Sequence, residues 1–257
     1  MALKGYLVTK TEESEVLITR QIKFLESQKI ETEQIDSWSY KYRYVYGQIL
    51  HNPVLLYRFL EDNVWNQQPF SFDLREHEAY ANYICSLAHN LELSVVDGLH
   101  AAIVEMCLEP KVLVHGDSTL ENFIERPTGE IVPIDPGLPR GFNTKENDIG
   151  KILQHCLTYW SYWKRFEDPD RSIYRVKYLA RLNVVTGYSI LSLYTHWIRI
   201  LKNATRHSPD VTQYGSHVVI PLLSRELAED IQSGTLRHRW NAYRLQGLCH
   251  ELLPTSH

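Results

Sequence analysis

A chain of 257 residues, 44% hydrophobic and 23% charged, is long enough to bury a sizeable core and has an ordinary globular composition. Its formal net charge of −4 removes the broad basic surface that a nucleic-acid partner needs, while leaving room for a small cationic substrate. The four cysteines, Cys85, Cys107, Cys156 and Cys249, form no C-x-x-C pair, so they read as buried free thiols in a reducing, cytoplasmic setting rather than as a zinc site or a disulfide framework.

The start, MALKGYLVTK, puts a lysine before only a very short apolar stretch, which does not fit a signal peptide. Gly5 to Lys10 is a β-like run, and Thr11 to Lys29 reads as a helix with Val16, Leu17, Ile22, Phe24 and Leu25 as its apolar stripe. Tyr40 to Leu50 alternates aromatic with polar residues and predicts a strand. Asn52-Pro53 marks a turn, and Val54 to Leu60 predicts a further strand stopped by Glu61-Asp62-Asn63.

Beyond that point the pattern becomes helical. Phe72 to Leu91 is one helix, and Ser94 to Leu108 is another with Ser94 as its N-cap, ended by Glu109-Pro110. Two short strands are expected at Lys111 to Val114 and Ile131 to Ile134. From Asp148 onward the chain reads as all-helical, broken at Asp168-Pro169-Asp170, at a loop over Ser208 to Ser216, and at Gly234. The longest uncharged run, Leu182 to Ile198, contains too many polar residues for a membrane span and reads as a buried helix. None of the twelve histidines is assigned to a metal, and no repeat or low-complexity segment is present.

The chemistry concentrates in residues 112–151. A hydrophobic strand delivers His115-Gly116-Asp117, Asn122 follows five residues after Asp117, and a second hydrophobic strand, IVPI, delivers Asp135. Two carboxylates and an amide at loop ends can converge on one point, and hard oxygen ligands of this kind suit Mg²⁺ shared with substrate phosphates. As plain turn residues after strands, Asp117 and Asp135 would need no such role. The ordered set of H-G-D, Asn and strand-closing Asp makes the functional reading the stronger one.

The stretch resembles the catalytic and metal-binding segment of the aminoglycoside phosphotransferase and choline kinase group, the small-molecule branch of the protein-kinase-like fold. The residues that carry the resemblance are HGDSTLEN (115–122), PID (133–135) and NDIGK (147–151). The resemblance implies that Asp117 orients the attacking hydroxyl and that Asn122 and Asp135 hold Mg²⁺ on the nucleotide phosphates. It further implies that His115 and Asp148 brace the loop, and that ATP or GTP donates the phosphoryl group. Lys10 is either a solvated strand end or, by the resemblance, the lysine that meets the nucleotide phosphates. The helix that follows should then offer it a glutamate, but the matching register puts Gln21 there, with Glu15 and Glu26 as substitutes.

A second departure is the short stretch before Lys10. Nine residues leave no room for the family's two-strand phosphate lid, which implies weaker nucleotide binding than in fuller relatives.

The expected fold is therefore α+β, a protein-kinase-like two-lobed architecture with a shortened β-rich N-lobe over 1–61 and a mainly α-helical C-lobe over 62–257. The expected partners are a nucleotide and a small-molecule hydroxyl acceptor such as a sugar, aminosugar or amino alcohol, with neither nucleic acid nor membrane. The competing expectation is a catalytically impaired pseudokinase that binds a ligand or protein partner. A protein kinase is disfavoured because no D-F-G, no A-P-E and no activation segment lie between Asp135 and Asp148. Tyr159, Trp160, Tyr162, Trp163, Tyr194, Trp197 and Trp240 read mainly as helical core, with an acceptor-holding cluster as the other reading. Arg140, Lys145 and Glu146 read as an ordinary solvated loop.

Overall fold

Three antiparallel strands, β1 (Leu7–Thr11), β2 (Thr32–Asp36) and β3 (Ser39–Arg43), make the first sheet in the order β1-β3-β2. The structure is a computed structural model that describes residues 7–11, 15–69, 75–93, 95–137, 143–163, 168–203 and 209–254. Val8 sits opposite Tyr42 and Lys10 opposite Tyr40, so these four side chains share one face of the sheet. Helix α1 (Glu15–Ser27) lies between β1 and β2 in sequence and packs on β2 and β3. Ile18, Phe24 and Leu25 are fully buried there, at the spacing that puts them on one helical face.

Tyr40 to Leu50 is not one strand. β3 stops at Arg43, Tyr44 and Tyr46 are exposed, and β4 (Gln48–Ile49) joins a second sheet of order β4-β5-β6 with β5 (Phe123–Glu125) and β6 (Ile131–Pro133). Gly47 permits the crossing, because a Cβ there would stand 2.5 Å from the carbonyl oxygen of Glu125.

The expected strand at Val54 to Leu60 is instead helix α2 (Pro53–Asn63). Asn52 caps it by accepting a hydrogen bond from the Val54 amide, Pro53 occupies the first turn, and Pro53, Leu56, Tyr57 and Leu60 form its buried face. α2 packs on helices of the C-terminal part.

Helix α3 (Arg75–Asn90) falls within the expected Phe72 to Leu91 span, of which residues 72–74 lie outside the described residues. Helix α4 (Leu99–Cys107) begins later than expected, after Gly98 in the left-handed region, and Ser94 lies outside the described residues. Lys111 to Val114 is extended but belongs to no strand, because the Val112 and Leu113 amides donate to loop carbonyls of Asn143 and Gln67.

The elements among the remaining described residues are helical: α5 (Lys145–Cys156), α6 (Trp160–Trp163), α7 (Pro169–Leu182), α8 (Gly187–Lys202), α9 (Pro209–Tyr214), a π-helical segment (Gly215–Val219), α10 (Ile220–Ser233) and α11 (Ala242–Glu251). Lys145 and Glu146 open α5 rather than a solvated loop, and Glu146 is buried; Arg140 lies outside the described residues. The expected loop from 208 is likewise helical from Pro209. Helix α8 is the hub, buried along most of its length and packed on α3, α5 and α10. Gly150 makes the close α5–α8 approach possible, since a Cβ there would lie 2.4 Å from Ser192 Oγ. Among the described residues no helix is long and apolar enough to cross a membrane. The architecture is α+β, mainly helical, with two small sheets.

Candidate active site

The loop that follows the extended segment turns at Gly116, whose φ of 80° is open to glycine at no steric cost. Asp148, in the first turn of α5 and fully buried, fixes this loop. Its Oδ2 accepts from the His115 amide at 3.0 Å and from Trp65 Nε1 at 2.9 Å. Its Oδ1 accepts from the Gly116 amide at 2.8 Å and the Ser118 hydroxyl at 2.5 Å. Four donors on one buried carboxylate are the arrangement by which an ionised group repays its desolvation.

His115 is buried and bridges the two loops. Its Nε2 lies 2.9 Å from the Ile134 carbonyl, which accepts, and its Nδ1 accepts from the Asp117 amide at 3.3 Å. Burial pushes the imidazole pKa down against the pull of Asp148 and Asp117. The ring is thus the neutral Nε2–H tautomer that both contacts require.

Asn122 closes a short 3-10 turn (Leu120–Asn122). Its Nδ2 donates to the Asp117 carbonyl at 2.8 Å, to Asp117 Oδ2 at 3.0 Å and to Thr119 Oγ1 at 3.3 Å. With the amide nitrogen committed, Oδ1 is the atom left for a cation.

Asp117 takes a second partner that the sequence reading did not assign: Lys151 Nζ stands 3.0 Å from its Oδ1 and also donates to Gln154 Oε1 at 3.1 Å. Partial burial pushes the Asp117 carboxyl up, but Lys151, His115 and the Asn122 amide outweigh it and hold the group below the usual carboxylate range. Lys151 lies one helical turn after Asp148, so one face of α5 carries both the brace of the loop and the cation on its aspartate.

Asp135 has φ 51°, a left-handed conformation that aspartate tolerates better than most residues. Lys10 Nζ meets its Oδ2 at 2.6 Å, and the Tyr42 hydroxyl donates to its Oδ1 at 2.7 Å. Lys10 and Tyr42 reach it together because they share a face of the first sheet. Burial and the neighbouring Asp135 carboxylate push the Tyr42 phenol up, so it stays a donor.

Gln21 does not meet Lys10; it donates to the Pro136 carbonyl at 2.9 Å and ties α1 to the loop after Asp135. Glu15 and Glu26 are exposed, and Glu26 accepts from Thr32. Among the described residues Lys10 forms its ion pair with Asp135.

The two loops touch. A Cβ on Gly137 would stand 2.7 Å from Asp117 Cβ and 3.3 Å from the Gly116 carbonyl, and the Ile134 amide donates to the Asn122 carbonyl at 2.8 Å. Asp117 also borders a cleft of about 300 Å³ whose lining includes Glu121, Lys151, Trp160, His196, Arg199 and Asn203. Glu121 Oε2 lies 2.7 Å from His155 Nδ1, and its Oε1 accepts from Trp160 Nε1 at 3.3 Å. Among the described residues no group of three or more His, Cys, Asp or Glu could hold a metal. Among the described residues, the oxygens at the places the resemblance assigns to a cation are Asn122 Oδ1 and the Asp135 carboxylate. That sparse, all-oxygen pair fits Mg²⁺, which keeps waters and takes phosphate oxygens.

No family model matches the chain, and no curated protein matches it. Among solved structures, the chain is similar to a choline/ethanolamine kinase family protein from Mesorhizobium loti at 12% identity and a TM-score of 0.48. The likeness covers 95% of this chain and 87% of that one.

Proposed function

We propose that the protein is a protein-kinase-like phosphotransferase that moves the terminal phosphoryl group of ATP or GTP, with Mg²⁺, to a hydroxyl of a small molecule. The observation that carries this reading is the state of Asp117. It borders a cleft, keeps its negative charge at neutral pH, and has one oxygen on Lys151 and the other on Asn122. A carboxylate fixed in this way accepts the hydrogen bond of an incoming hydroxyl and aims the oxygen lone pair at phosphorus.

As the new O–P bond forms, the bond to the bridging oxygen of the leaving nucleoside diphosphate breaks, and the hydroxyl proton passes to the Asp117 side. Mg²⁺, when bound by Asn122 and Asp135, supplies charge neutralisation at the nucleotide phosphates. Lys10 holds Asp135 in place and, being about one-third exposed, also has access to a phosphate. Asp148 and His115 keep both loops in register.

One observation favours binding without turnover: both oxygens of Asp135 are engaged by Lys10 and Tyr42. A carboxylate has lone pairs beyond those two contacts, so engagement does not close it to a cation. Turnover of γ-labelled ATP or GTP against a panel of sugars, aminosugars and amino alcohols, with Mg²⁺ and with EDTA, separates the readings. The account expects acceptor-dependent transfer that EDTA abolishes. Nucleotide binding with no transfer to any hydroxyl compound would leave the binding-protein reading.

A further inference from the structure

We propose that the acceptor carries an anionic group, a carboxylate or a phosphate monoester, in addition to the hydroxyl presented to Asp117, and that Arg199 binds that anion. The proposal rests on the phosphotransferase reading and narrows it.

Asp117 and Glu121 both border the cleft, and each has neighbours of its own. Asp117 has Lys151 on Oδ1 and the Asn122 amide on Oδ2. Glu121 has Trp160 at Oε1 and His155 at Oε2. Among the described residues each carboxylate bordering the cleft thus has neighbouring polar groups of its own, and Lys151 is spent on Asp117 and Gln154.

Arg199 remains. It is half-buried on α8, its charge lies near the buried Tyr80 phenol, and among the described residues no carboxylate forms an ion pair with it. A guanidinium never loses its charge, and its planar fork matches a carboxylate or phosphate in two parallel hydrogen bonds. A half-desolvated, unanswered cation at the rim of a binding cleft selects an anion, and with Lys151 beside it repels an amine.

An independent observation comes from the preceding turn of the same helix face. His196 lines the cleft, is 1% exposed, and its Nδ1 has no hydrogen-bond partner among the described residues. Nε2 lies 3.3 Å from the Asn147 carbonyl, which accepts, and burial together with Lys151 and Arg199 keeps the ring neutral. Nδ1 is therefore a buried acceptor in want of an O–H donor. His196, Arg199 and Asn203, spaced by three and four residues, present one stripe to the cleft. That stripe offers an acceptor for a hydroxyl next to a cation for an anion, which is the pattern of a sugar acid, a hydroxy acid or a sugar phosphate.

The test measures kcat/KM with γ-labelled Mg-ATP on matched pairs: D-glucuronate against D-glucose, and glycerol 3-phosphate against glycerol. D-Glucosamine serves as the cationic control. The expected result is preference for the anionic member, and the two pairs tell carboxylate from phosphate. Arg199→Met should lower that preference ratio on the order of 10- to 100-fold, the loss that follows from one hydrogen-bonded charge pair. Preference for the neutral or cationic member overturns the proposal. So does a ratio unmoved by Arg199→Met, including the case in which Mg-ATP affinity falls and assigns Arg199 to the nucleotide. If nothing is phosphorylated, calorimetry of glucuronate and glycerol 3-phosphate on the parent and Arg199→Met decides. Anion binding lost in the variant keeps the site while sinking the phosphotransferase reading, and no binding, or binding indifferent to the substitution, removes the site.

Discussion

Removing the Asp148 carboxylate should cost more stability than any other single polar change in the motif. Asp148 is fully buried and accepts four hydrogen bonds, from the His115 and Gly116 amides, the Ser118 hydroxyl and Trp65 Nε1. In Asp148→Ala the Ser118 hydroxyl can rotate to another acceptor, but the two amides are fixed by the loop and the indole by its packing. Each buried donor left unanswered costs about 1–3 kcal/mol, so three of them place the loss at roughly 3–9 kcal/mol. That is a large share of the roughly 5–15 kcal/mol that holds a domain together. Asn at this position is no rescue, because its amide group would turn a donor toward donors. Ser118→Ala removes only one of the four and should cost about 1 kcal/mol. Urea denaturation of the parent and both variants measures the losses as midpoint shifts at unchanged slope. A loss below about 1 kcal/mol in Asp148→Ala would refute the reasoning, since it would mean that water or another acceptor serves those donors.

Gly137→Ala should push the two loops apart, because the added methyl would meet Asp117 Cβ at 2.7 Å. The expected cost is about 1–3 kcal/mol of stability with loss of turnover, read by denaturation and by kcat. Tyr42→Phe frees the Asp135 oxygen that the phenol now occupies, so Mg-nucleotide affinity should rise by up to about tenfold in a calorimetric titration. Unchanged affinity would show that Tyr42 and the cation do not compete. His196 is held neutral with a pKa well below 6.5 in the folded state, first by burial and then by Lys151 and Arg199. The unfolded chain therefore takes up the proton first as pH falls. The stability that His196 contributes is complete above about 6.5 and is lost progressively below it. His196→Asn should flatten the pH dependence of the urea midpoint between about pH 7.5 and 5.5.

The motif stood out in the sequence because it is carried by order and spacing over a short span: H-G-D, the Asn five residues on, and the strand-closing Asp. Asp148 was legible for the same reason, as the acidic residue that opens the next helix. Helix α8 was legible because an uncharged but polar run has to be buried inside the protein. Local ambiguity hid α2, since the apolar run VLLYRFL carries no clear period. Asn52 and Pro53 fit a turn as well as the N-cap and first turn they proved to be. β2 was hidden by its composition, because TEQID is mostly exposed on the edge of the sheet and shows no apolar alternation. The partners of the site residues were not legible. Tyr42 is 93 positions from Asp135 and Lys10 is 125 away, and only the register of β1 against β3 puts both on the face that meets it. Lys151 stood in view within NDIGK, but its role depends on how α5 lies across the loop that holds Asp117.

The central claim is that Asp117 directs a hydroxyl while Asp135 holds the metal-bound nucleotide. It is tested most directly by measuring Mg-ATP affinity and single-turnover transfer side by side in Asp117→Asn and Asp135→Asn. The account expects Asp117→Asn to bind Mg-ATP nearly as well as the parent and to transfer about 10²–10⁴-fold more slowly, the range of a lost general base. Asp135→Asn should lose both affinity and transfer. Equal loss of affinity in the two variants would contradict the division of roles, and full transfer by Asp117→Asn would contradict the phosphotransferase reading itself.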